Sequence, residues 1–237
     1  MNFDALVEYI STTPMIWLIL TLGSFKLGII LYEKGNKHTL LQPIIVSYVV
    51  IITCLIVSGV SYAEYFKSVE IIHFFLGPAT VALALPLYNN LKHVKSLLLP
   101  ILTTLFVGGV FSIVLAIFLL WVLNADVSTI LSMTTKSITA PIAIITSEQI
   151  GAIPSLAVSF VIITGIIGAL LGTTIFKILK IKHETSKGFA LGAISHGIGT
   201  ARAIEISEKA AAFSALAMGL SGIATAILLP LIITYIK

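Results

Sequence analysis

The sequence predicts an all-α polytopic membrane protein. It is expected to have six full transmembrane helices plus two re-entrant or broken helices, eight segments at most, with an inverted-topology repeat in the C-terminal half. Three observations predict this. Hydrophobic residues make up 58% of the 237 and charged residues 10%, whereas a soluble domain needs about a quarter of its residues charged to cover its surface. The apolar residues are segregated: 43–63, 71–91, 96–125, 149–176 and 210–236 contain no Asp, Glu, Lys or Arg, and each is long enough for a helix to cross the hydrocarbon core. Most of the charges that remain sit in short turns, basic ones alternating with acidic or nearly uncharged ones.

The first span, 14–32, is interrupted only by Lys26 near one end, where a lysine can snorkel to the interface. Basic turns follow at 33–42 (Lys34, Lys37), 89–95 (Lys92, Lys95) and 177–187 (Lys177, Lys180, Lys182, Lys187), while 61–70 and 124–128 are acidic or nearly uncharged. Placing the basic turns in the cytoplasm puts the N-terminus outside, which suits an acidic start carrying Asp4 and Glu8. That start does not resemble a signal peptide. The net charge of +4 follows from these turns and gives no indication of nucleic-acid binding. Cys54 is the single cysteine, so no disulfide, cysteine-based metal site or cofactor is expected. The whole of 1–237 is expected to be one transmembrane domain, with N-terminal helices in 1–128 and repeat units at 136–176 and 195–236.

Spans 14–32, 43–63, 71–88 and 96–123 alternate without conflict, and then the alternation fails. Residues 124–135 fall outside, and 149–176 must also start outside for its lysine-rich end to lie inside. The piece between offers eleven residues between Lys136 and Glu148, too few to cross. It is expected to be re-entrant, surrounded by protein or a watery cavity. The Gly-rich run 188–207 is expected to behave alike. Aligning 138–176 with 198–236 gives twelve identities in thirty-nine positions, including Ser147-Glu148 with Ser207-Glu208; roughly five would arise by chance in so skewed a composition. Inverted units with interrupted segments in matching positions point to a transporter's binding site near the midplane.

Candidate residues cluster in those segments. In Ser195-His196-Gly197-Ile198-Gly199-Thr200-Ala201-Arg202 the glycines allow close backbone approach, and a helix restarting near Thr200 presents its positive end. Arg202 can hold a carboxylate bidentately, or pair with Glu205 three residues on. His196 is explained as well by a packed, singly bonded ring. Lys136, with Ser137 and Thr139 as hydrogen-bond donors, is the counterpart cation, or an interfacial lysine. Pro141 is expected to make the break. In the third span Gly77-Pro78 predicts a kink that frees carbonyls around Thr80; His73 reads as structural. Glu148, Glu205 and Glu208 are candidate proton carriers or ordinary helix-end charges. No catalytic residue is expected: there is no HExxH and no paired intramembrane Asp, and Ser195 and His196, being adjacent, point apart on a helix.

The runs FFLGPATVALALPLY, KSITAPIA and ALGAISHGIGTARAIEISEKAAAFSALAMGLSGIATAILLPL resemble the LrgB/CidB (YohK-type) family of antiholin-like membrane proteins over nearly the whole chain. Lys136, Pro141, His196, Gly197, Gly199, Thr200, Arg202 and Glu205 fall on the family's motifs, and Ala140 stands where many members carry Thr. The resemblance implies two functions. One is control of murein hydrolase export and autolysis beside a smaller LrgA/CidA-like membrane protein. The other, through members such as the plastid glycolate/glycerate translocator, is transport of a small carboxylate anion. Inverted units with a cation in each favour the second. The chain is expected in the cell (inner) membrane as a multi-pass homo-oligomer.

Overall fold

Apolar runs punctuated by proline and glycine fold here as helices, in a computed structural model that describes residues 13–36, 41–82 and 84–236. The side chains of His73, Leu76, Gly77, Ala79, Thr80, Leu87 and Ile236 lie outside that description, as do Asp4, Glu8 and Lys37 altogether. The described residues contain no strand. They form two compact units, Met1–Ala82 and Leu83–Lys237.

In the first unit, α1 (Pro14–Lys34) and α2 (Pro43–Ser58) both open on a proline at the first turn, where its missing N–H costs nothing. They pack antiparallel. Gly28 lies against the Pro43 backbone, so that a Cβ there would come within 2.7 Å of Pro43 Cα. At the other end Trp17, 1% exposed, is packed with Val60 and Val69 and edge-on to Tyr65. Two short helices follow, α3 (Tyr62–Ser68) and α4 (Glu70–Ala82). A capping box between Ser61 and Glu64 starts α3, satisfying two orphan backbone donors at once. Pro78 lies inside α4.

The second unit comprises α5 (Ala84–Asn89), α6 (Leu91–Ser96), α7 (Leu98–Val122), α8 (Val127–Met133), α9 (Ala140–Ile150), α10 (Pro154–Ile178), α11 (Glu184–Ile204) and α12 (Glu208–Ile236). Helices α1, α7, α10 and α12 are long and apolar enough to cross a bilayer. The expected span at 43–63 contains a helix of only 16 residues, and the one at 71–88 is divided between α4 and α5.

Two chain reversals organise this unit. The first runs down α8, through 134–139, and back up α9. Its direction follows from neighbours: Lys136 reaches Ser112 at the middle of α7, Ile138 and Ala143 pack on Val161 of α10, and the Ile153 N–H donates to Ser132 Oγ. The hairpin therefore enters where α7 ends and α10 begins.

The second reversal lies inside α11. His196 has φ 42 and ψ −126, breaking the helix into two halves. Gly188 abuts Ala210 and Gly192 abuts Ser214, so the first half runs parallel to α12. Thr200 then meets Ser214 and Ala203 joins Ala210 in one cluster, so the second half runs back. The returning Gly199 lies against the Leu191 carbonyl, where a Cβ would be 2.1 Å from that oxygen; in a straight helix these two positions are about 12 Å apart. This hairpin enters where α10 ends and α12 begins, opposite to the first.

Helix boundaries also place the internal similarity. Pairing at sixty residues puts the break at Gly151 onto Ala211, inside α12. Boundaries instead recur at an interval of fifty-four: Ile150 with Ile204, and Pro154 with Glu208. The matched Ser-Glu pairs consequently occupy different places. Ser147 is buried in α9, while Ser207 Oγ accepts the Ala210 N–H at the start of α12.

Candidate functional site

Both hairpin tips reach Val161, two turns inside α10. At the first tip Lys136 Nζ donates to Ser112 Oγ at 2.7 Å and lies 3.4 Å from both the Ser112 carbonyl and Ser137 Oγ. Among the described residues no carboxylate pairs with it, so a half-buried ammonium is held by hydroxyls and a carbonyl alone. It stands at one end of a cleft between α7 and α8 whose other walls include Ala116, Leu119, Leu120 and Met133. Thr139 is the N-cap of α9 and makes no side-chain capping bond. Pro141 begins α9 instead of breaking a helix, because at the first turn its ring meets no preceding carbonyl. The reversal is carried by 134–139 before it.

At the second tip His196 is 5% exposed, and its Nε2 lies 3.0 Å from the Val161 carbonyl. A carbonyl only accepts, so Nε2 carries the proton. Gly165 makes room for the ring: a Cβ there would be 2.7 Å from His196 Cε1. Ser195 is 1% exposed, its Oγ packed on Gly168 without a hydrogen-bond partner. Thr200 Oγ1 donates to the His196 carbonyl at 2.8 Å and, its one proton used, accepts from Ser214 Oγ at 2.9 Å. Gly197 is exposed, with open space where a Cβ would stand.

Arg202 forms an ion pair with Glu205. It sits nearer the base of its hairpin than the tip, so it does not share the level of Lys136. Glu148 is exposed at the end of α9, and Glu208 accepts from Asn89 Nδ2 at 3.0 Å; each is placed as a helix-end charge. Thr80 belongs to α4 in the other unit, with its side chain outside the described residues. The two tips meet α10 through Ile138 and through Ser195 and His196, whereas Lys136, with Ser137, faces Ser112 of α7 and Thr200 faces Ser214 of α12; Thr139 and Pro141 open α9. Sequence reasoning missed Ser112 and Ser214. Each is the one hydroxyl in an otherwise apolar run of its helix, 106–118 and 210–220, and that was the available signal.

Charge is segregated along the second unit. Glu208 and Lys209 bond Asn89 and His93, so the basic turns 89–95 and 177–187 lie at the same end as the start of α12. Asp126 and Glu148 mark the opposite end, where neither turn carries Lys or Arg.

A helical membrane protein, with two hairpins that meet α10 from its opposite ends, is the class these features define. Residues 21–235 match the model of the LrgB-like family, and the chain belongs to that family. It is 34% identical over 226 residues to a holin-like protein CidB of Staphylococcus epidermidis, covering 95% of this chain and 97% of that one. It is 32% identical over 224 residues to an antiholin-like protein LrgB of Bacillus mycoides, covering 94% and 97%. No solved structure matches it.

Proposed function

We propose that the chain is a carrier of small monocarboxylates of the pyruvate, glycolate or glycerate type. It would act in the cell membrane with the N-terminus outside, alongside a small LrgA/CidA-like membrane protein and as a homo-oligomer. The observation that carries this reading is the half-buried Lys136 ammonium at the middle of α7 with no carboxylate partner among the described residues. Burying an unpaired charge is costly, and a ligand anion would offset that cost. The returning helices add to it. α9 and the second half of α11 both begin at the tips, and helix N-termini favour negative charge. The substrate carboxylate is held in this reading by Lys136, Ser137 and Ser112, with Thr139 and Pro141 on the same hairpin and the second tip, Ser195, His196, Gly197, Gly199 and Thr200, approaching from the other end of α10. Arg202 and Glu205 act as a linked pair at the cytoplasmic base, and Glu148 at the outer one. In this reading the chain makes six crossings with two inverted hairpins, which would supply the alternating access a carrier requires. No covalent chemistry is involved.

The test is uptake of labelled pyruvate or glycolate into proteoliposomes. Saturable uptake that Lys136→Ala removes, in a variant that melts like the wild type, supports the carrier. If no small carboxylate moves under any gradient, the reading fails. The names of the relatives favour a second reading, an antiholin-like regulator of murein hydrolase export and autolysis. It predicts altered autolysis, no saturation, and tolerance of Lys136→Ala.

A further inference from the structure

The cleft that ends on Lys136 is polar at one end and apolar along the rest of its length. Its α7 wall is Ser112, Leu115, Ala116, Leu119 and Leu120, spaced at i, i+3, i+4, i+7 and i+8, so all five share one face of the helix. Met133, the last residue of α8, stands across from them. From Ser112 to Leu119 this face runs about 10 Å toward the end of α7. The hydroxyl and the ammonium in the lining belong to Ser112 and Lys136, which bond each other at one end. Beyond them the walls are alkyl side chains and one thioether, and the peptide groups of α7 bond within the helix. The cleft holds about 210 Å³, several times the ~30 Å³ that one water occupies in the liquid, so it has room for a chain as well as a carboxylate.

These walls discriminate between acids with the same head. The outer hydroxyl of a hydroxylated acid would meet only Leu115, Ala116 and Met133 and find no partner, which costs binding. An alkyl tail would cover the same walls, each methylene adding about fourfold in affinity. We propose that the cleft selects monocarboxylates with an unsubstituted alkyl tail, of the butanoate to hexanoate kind, over hydroxylated acids. The carboxylate sits on Lys136 and the tail lies along α7 between Leu115, Leu119 and Met133. This deepens the carrier reading and rests on its placement of the anion at Lys136; within the small monocarboxylates it ranks the hydroxylated members last.

Binding is measured separately from transport. The full chain in detergent is titrated with acetate, propanoate, butanoate, hexanoate and glycerate, and dissociation constants are taken from the rise in melting temperature. Affinity is expected to climb about fourfold per methylene from acetate to hexanoate, with glycerate about tenfold weaker than propanoate. Lys136→Ala should remove the rise for every acid. Leu115 and Leu119 are 41% and 52% exposed, so the double variant Leu115→Ala/Leu119→Ala spares the packing and should cut the advantage of hexanoate over propanoate about tenfold. A flat series, or glycerate as tight as propanoate, overturns the proposal. So does an equal climb in Lys136→Ala or with uncharged hexanol, which would mean that the tail only partitions into detergent. Proteoliposome uptake then separates the two ideas. Saturable uptake of labelled pyruvate or glycolate beside a flat series keeps the carrier and overturns the tail preference. A climbing series with no uptake of any acid supports the cleft as a binding site and removes the carrier.

Discussion

At 127–150 the chain reverses through six residues, Thr134 to Thr139, whereas at 184–204 it reverses on His196 alone. The first reversal is held by hydroxyls. Ser132, Thr134 and Thr135 donate to the carbonyls of Ser128, Leu131 and Ser132, so that each hydroxyl is satisfied locally, and the Ile153 N–H donates to Ser132 Oγ. The second is held by the absence of side chains. Gly199 lets the two halves touch, Gly165 and Gly168 seat the tip, and Gly188 and Gly192 seat the first half on α12. A loop of hydroxyls can carry a lysine to the middle of α7 and solvate it; a one-residue reversal packed on glycine leaves room for little besides an imidazole and a buried serine. The two hairpins thus both reach Val161 and differ in tolerance: the second should be brittle to volume, the first to loss of polarity.

The largest effect that could break this contrast is expected at Gly192. A Cβ there would lie 2.0 Å from the Ser214 carbonyl, so Gly192→Leu must push α11 from α12, at a cost of about 3 kcal/mol. Gly197→Ala, in open space, should shift stability by less than about 0.5 kcal/mol. Thermal melts in detergent compare them; equal melts would dissolve the argument from close packing.

Next is Lys136. Lys136→Ala is expected to lower carboxylate uptake about a hundredfold, and Ser112→Ala, which removes one charge-assisted bond, about tenfold. Uptake assays at matched protein levels separate this from folding; a Ser112→Ala effect equal to that of Lys136→Ala would make the serine more than a support.

A smaller effect is expected at His196. Alanine loses the bond to Val161 and keeps the strained φ, whereas glycine loses only the bond. His196→Gly should therefore melt higher than His196→Ala by an amount equal to about 1 kcal/mol. The reverse order would show that the imidazole's packing, and not the backbone, sets this tip.

The smallest concerns Asp126, the N-cap of α8. Hydrogen bonds from the Thr129 side chain, and then its backbone N–H, hold the carboxyl below its usual value of 3.8. A lowered folded value means the contribution is present above the unfolded value and is lost as pH falls through the folded one. Amide exchange over 127–133 should quicken only in acid below that range, and Thr129→Val should move the onset upward. No change in onset would remove the cap from the account of the first hairpin.

Much of this was legible in sequence. Eleven residues between Lys136 and Glu148 are too few to cross a bilayer, and the helix that overlaps them, α9, runs only from Ala140 to Ile150. The interruption in 188–207 was visible as glycine content, but its position was not. Gly197 and Gly199 attracted attention, and the break falls on His196, because a positive φ is set by what surrounds the tip and not by the residue's own preference. Arg202 stood out as a charge in apolar sequence; Glu205 takes it up one turn away, a partner that spacing alone had allowed. The identities at sixty residues are sequence matches that the helix ends do not follow.

The sequence by itself determined that this chain is a helical membrane protein, that the piece between Lys136 and Glu148 is too short to cross, and where its basic turns lie. Those follow from hydrophobic length and charge, which act locally and additively. Only the tertiary structure decided that both hairpins stop at Val161 and that Lys136 finds Ser112. It also decided that α11 folds back on itself, since each of these depends on small residues and hydroxyls meeting across helices far apart in the chain.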